Sequence, residues 1–130
     1  MLRVLMGDRA WAGDEDLAVT YGFQYRAMLA ALKPQPEGAL SKLVYELSEH
    51  DREALRGLIL IPENRVVRLD PRVSLRTAVQ VSQNARRLNQ LQSELVGAAI
   101  FYDAGIAVAT VPPNVQAACE EFGIPFQLVH

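Results

Sequence analysis

The feature that most constrains this chain lies close to its C-terminal end, where helix and strand punctuation follow one another without a gap. Gly105 precedes the apolar run Ile106 to Val111, Pro113-Asn114 opens an amphipathic stretch through Phe122, Gly123 closes it, and Pro125 to Val129 is again apolar. Glycine stops helices and proline starts them, so the segment reads as strand, helix, strand. Two strands joined through a helix run parallel, and a parallel sheet needs cover on both faces. The expected fold is therefore α/β, with a central parallel sheet covered on both faces.

The rest of the chain fits that plan. Leu2 to Met6, bounded by Gly7-Asp8, reads as a first buried strand. Asp16 to Lys33 carries Leu17, Tyr21, Tyr25, Met28, Leu29 and Leu32 at helical spacing, with Gly22 as a weak point and Pro34 and Pro36 as the stop. A second helix spans Ala39 to Leu47 with Leu40, Leu43, Val44 and Leu47 on one stripe, and Ser48 with Asp51 or Glu53 caps a third through Leu58. After Ile59 to Pro62, Arg65 to Leu69 is β-branched and ended by Asp70-Pro71, hence a strand. Ser74 is the expected N-cap of a helix to about Leu88. A further helix from about Leu91 to Tyr102 turns Leu95, Ala98, Ala99 and Tyr102 inward and ends at Gly105. No repeat or linker interrupts the chain, and 130 residues suit one domain over residues 1–130.

Composition narrows the class. A chain that is 50% apolar with nine aromatic residues is too apolar for disorder, and no apolar run approaches the roughly 20 residues that cross a bilayer. The formal net charge of -2 excludes a broad basic field, so any nucleic-acid contact must be local. All basic residues except Lys33 and Lys42 are arginines. That bias suits bidentate phosphate contacts, although a GC-rich coding sequence produces it too. Cys119 is the one cysteine, which rules out a disulfide framework, fits a reducing compartment, and reads as a core residue. Asp8 comes too early for a signal-peptide apolar region, so the expectation is a cytoplasmic protein with no membrane partner.

Phosphate-binding glycine fingerprints, a nucleophile-elbow serine and a Cys/His metal set are all missing, and His50 and His130 are too few and too far apart for zinc. Asp8 closes the first strand, where an α/β protein binds its ligand, although a turn aspartate looks the same. Glu46 and Glu94 each lie on a helix beside apolar positions, and singly each reads as a solvated helix residue. Gathered with Asp8 they would form a carboxylate cluster that is unfavourable without a cation, and an all-oxygen set favours Mg²⁺ or Mn²⁺.

The uninterrupted segment Ser93 to Thr110 holds an acid opening a helix, Glu94, a paired Ala98-Ala99, a Gly105 after the helix and an apolar strand ending in Thr110. It resembles the C-terminal signature of PIN-domain proteins, the ribonuclease family that includes the VapC toxins. Cys119 to Leu128 resembles the family's closing segment, Leu43 to Leu47 its helical acidic motif, and Leu2 to Asp8 its first strand, so the resemblance runs in order along almost the whole chain. It implies a single-domain three-layer α/β/α sandwich with a central parallel sheet, and an endoribonuclease in which Asp8, Glu46 and Glu94 hold Mg²⁺ or Mn²⁺, with Thr110 as a nearby hydroxyl. RNA would be the substrate, contacted by arginines such as Arg9, Arg72 or Arg76. A homo-oligomer and an antitoxin protein would be partners. The chain departs from the pattern at Gly7, which shifts the first acid by one residue, at Arg9, which replaces a small polar residue, at Glu94, where Asp is typical, and at Pro112, where a fourth acid would fall.

Two other readings stand beside this one. A catalytically inactive PIN-like or other α/β module would use apolar faces, such as that around Ala27 to Leu32, to bind protein or nucleic acid. A phosphate-binding Rossmann-like domain would use the helix N-terminus at Asn114.

Overall fold

Parallel pairing of short strands among helices organises the computed structural model, which describes residues 17–33, 35–60, 66–84, 87–108, 110 and 112–129. The first expected strand, Leu2 to Met6, lies outside the described residues. The element order is β1 (Leu17–Val19), α1 (Tyr21–Leu32), α2 (Ala39–Tyr45), α3 (Glu49–Leu60), β2 (Val66–Arg68), α4 (Pro71–Asn84), α5 (Gln90–Tyr102), β3 (Ile106–Val108), α6 (Pro113–Phe122) and β4 (Phe126–Leu128). The protein is thus mixed α/β and mostly helical, with parallel strands. Its contacts divide it into two compact units, Met1–Arg68 and Leu69–His130.

In the first unit, β1 and β2 pair in parallel with Leu17 opposite Val66 and Val19 opposite Arg68. This corrects the helix expected from Asp16: Leu17 to Val19 satisfies its backbone by pairing with β2, and Thr20 stays extended before α1 begins. Gly22 falls in the first turn of α1 and does not break it, while Lys33, ahead of Pro34, is extended and ends it. Of the apolar stripe expected on α1, only Met28 packs against the core. Ala27, Ala30 and Ala31 are buried, whereas Tyr21, Tyr25, Leu29 and Leu32 are exposed. The small residues form the core with Val44 of α2 and with Leu55 and Ile59 of α3. Two side chains lock α1 to α3, with Gln24 Nε2 donating to the Ile59 carbonyl at 2.9 Å and Arg56 Nε to that of Ala31 at 3.1 Å. Ser48 caps α3 as expected, its hydroxyl accepting from the Asp51 amide at 3.1 Å and donating to the Asp51 carboxylate at 2.7 Å. The helix then runs to Leu60, past the expected stop at Leu58.

In the second unit, β3 and β4 pair in parallel through α6, with Ile106 opposite Phe126. The cap of α4 is Asp70, not Ser74: Asp70 Oδ1 accepts from the Arg72 amide at 2.9 Å, and Pro71 follows at a position where its missing N–H costs nothing. α4 ends at Asn84, short of Leu88. Asn89 and Gln92 form a reciprocal capping box at the start of α5. At the other end Asp103, with φ 50°, takes the left-handed C-cap that the sequence suggested for Gly105. Gly105 instead lets the chain pass the Pro125 carbonyl, from which an added Cβ would stand 3.3 Å away, and Ile106 donates to that carbonyl at 2.9 Å. Gly123 closes α6 in the left-handed region, as expected. The core gathers Val81, Val96, Ala99, Ile106, Val115, Ala118, Cys119 and Ile124. Cys119 is thus the core residue expected of it, and burial pushes its thiol pKa up, helped by the neighbouring Glu120 charge. Ala98 and Ala99 are buried on α5 as expected and Val96 and Gly97 join them, whereas Tyr102, expected inward, is exposed.

Candidate functional site

The candidate residues fall on distinct elements. Asp8, with Arg9, lies outside the described residues. Glu46 is the C-cap of α2: its amide donates to the Lys42 carbonyl at 3.0 Å, and its side chain is exposed, as the solvated reading of that residue has it. Glu94 is different. It sits in the second turn of α5 and is only 5% exposed, in a row of buried residues that continues through Ser93, Val96 and Gly97. Carboxylates are among the side chains least often buried.

Local sequence explains how α5 buries that turn. Gly97 lies where α5 crosses α4, and a Cβ there would come within 2.8 Å of the Ala78 amide nitrogen and of the Thr77 carbonyl carbon. With no side chain at Gly97, the backbones of the two helices approach closely, and the neighbouring turn carrying Glu94 goes in with it. Ser93 shares this burial, and its hydroxyl makes no hydrogen bond among the described residues.

Thr110 follows β3 in a bend and is exposed. Two residues on, Pro112 occupies the N-cap of α6 in an extended conformation without a side-chain cap bond. The turn is tied back to α5 by Asn114, whose Nδ2 donates to Gln92 Oε1 at 2.7 Å and to the Arg87 carbonyl at 2.9 Å. Gln92 therefore serves both the capping box and this bridge, which joins the N-termini of α5 and α6. Spacing along the chain signals the capping box but not the bridge, whose partners are 22 and 27 positions apart. Asn114 is thus engaged with protein groups at the very helix end that the phosphate-binding reading invoked.

Of the arginines named for RNA contact, Arg72 reaches out 90% exposed but is paired with Asp70, Nη2 to Oδ2, at 2.9 Å. That guanidinium holds the Asp70 carboxyl below its ordinary value, chiefly by hydrogen bonding. Arg76 is exposed on α4. His50 decorates the start of α3 and His130 lies outside the described residues.

Glu46 belongs to the first unit, and Glu94 and Thr110 to the second. Among the described residues, no three His, Cys, Asp or Glu side chains gather into a group that could hold a metal ion. The candidate donors themselves, carboxylates with a hydroxyl and neither thiolate nor imidazole, have the chemistry that hard divalent cations take. Compared with protein-family models, with curated proteins and with solved structures, the chain matches none.

Proposed function

We propose that the protein is a PIN-like α/β/α sandwich of the toxin type that cleaves RNA with the help of Mg²⁺ or Mn²⁺. The observation that carries the reading is Glu94: a carboxylate 5% exposed on the helix ahead of a parallel β3–α6–β4 unit, in the order that the resemblance to PIN-domain ribonucleases requires. Glu94 would be one ligand of the metal, which when bound supplies an activated water and neutralises charge on a phosphodiester. Burial of Glu94 in a packed helix fixes its direction with little freedom to lose. The Thr110 hydroxyl, in the turn that Asn114 anchors, is a hydrogen-bond donor for a phosphate oxygen or a water. An antitoxin protein and a second copy of the chain are the protein partners this reading entails, and a cytoplasmic location goes with it.

A second reading is favoured by the exposed side chain of Glu46 and by Pro112, which has no side-chain donor: an inactive relative that binds protein or nucleic acid. Cleavage of a labelled single-stranded RNA, followed with Mg²⁺, Mn²⁺ or EDTA, separates the two. The nuclease is expected to cut only with metal and to lose at least about a hundredfold in rate on Glu94→Gln. Cutting that persists in EDTA, or that Glu94→Gln leaves intact, overturns the mechanism. Full absence of metal-dependent cutting in the wild type favours the binding module.

A further inference from the structure

The outward arc of α1 carries Tyr21, Tyr25, Leu29 and Leu32, and the helix contains no carboxylate; its one charge is Arg26. Tyr21 and Tyr25 are 54% and 47% exposed, and their rings lie within 12° of parallel with centroids 6.3 Å apart. Two parallel, solvent-facing rings one helical turn apart offer π faces of the kind on which unpaired bases stack, whatever their identity. Within α1 itself the charge has one sign. The positive end of the helix dipole begins at Tyr21 itself, Thr20 makes no side-chain cap bond there, and Arg26 is exposed beside Tyr25.

We propose that the Tyr21–Tyr25 pair is a base-stacking platform for single-stranded RNA, with Arg26 and the N-terminal end of α1 facing the phosphates. A duplex hides its base faces and does not fit such a surface. The proposal deepens the RNA-cleaving reading, and rests on it for the choice of RNA as the strand. It also answers the charge balance of the whole chain: stacking needs no broad basic field, only a local one.

Binding of a fluorescent short oligouridine, measured by anisotropy in EDTA so that no cutting occurs, tests it. The double variant Tyr21→Ala/Tyr25→Ala is expected to bind about tenfold more weakly or worse. Tyr21→Phe/Tyr25→Phe keeps the rings and is expected to keep the affinity. Arg26→Gln is expected to flatten the salt dependence by about one ion, and an RNA duplex is expected to bind far more weakly than the single strand. Equal affinity of the alanine variant and the wild type overturns the proposal, as does a wild type that fails to bind oligouridine. An alanine variant that turns from dimer to monomer in sedimentation while still binding RNA shows that a second copy covers the face instead, and also overturns it. A wild type that binds as expected yet never cuts with Mn²⁺ upholds the platform and removes the nuclease. Metal-dependent cutting with unchanged binding by the alanine variant does the reverse.

Discussion

Gly97 is the position where a single methyl group has the largest consequence. In an ordinary helix alanine is favoured over glycine by about 1 kcal/mol. Here the new Cβ would press on the backbone of Thr77 and Ala78, not on a side chain that can swing away. Overpacking of this kind costs about 1–3 kcal/mol, so Gly97→Ala is expected to lower the urea midpoint despite the better helix former, and Gly97→Val to lower it further. Asp70 offers a test of a different force. Its carboxyl is held below the ordinary value in the folded chain, so the stability it contributes is fully present above about pH 4, the unfolded value, and is lost as pH falls through the lower folded one. Asparagine can still accept from the Arg72 amide but carries no charge. The gap in Tm between wild type and Asp70→Asn is therefore expected to be widest near neutral pH and to close in acid. At this scale the sequence was only partly legible. The burial of Cys119 could be read from its place in an amphipathic helix, whereas that of Glu94 could not, because it follows from the close approach of two helix backbones.

Among the elements, α1 shows how spacing can identify a helix and misassign its faces. Tyr21, Tyr25, Leu29 and Leu32 form a proper helical stripe, yet the opposite side, Ala27, Ala30 and Ala31, is the one packed against α2 and α3. Side-chain size decided the matter, since alanines permit close packing that large residues do not. β1 was missed for a related reason: three residues become a strand only because Val66–Arg68 offers them a partner, and no local signal encodes that. Caps were more legible, Ser48 fully and Asp70 off by one turn. Two helix starts now make opposite predictions. Asn89→Ala removes a reciprocal capping box and is expected to cost about 1 kcal/mol in urea unfolding. The hydroxyl of Thr20 is buried and makes no hydrogen bond among the described residues, so Thr20→Val, of the same shape, is expected to be neutral or stabilising.

For the molecule as a whole, alternation of helix and strand in the C-terminal half was sufficient to foresee parallel pairing, because only a crossover helix can join such strands. The division into two units was not foreseen, since no change in composition accompanies the boundary at Arg68 and Leu69. Each unit has its own apolar cluster, and one of them contains the thiol of Cys119, 1% exposed and with its pKa raised by burial. Thiolate, not thiol, reacts with alkylating agents. In the native protein Cys119 is therefore expected to be labelled by iodoacetamide far more slowly than in the urea-unfolded chain. The rate at which the adduct accumulates, read by mass spectrometry, becomes a clock for how often the interior of the C-terminal unit opens to water.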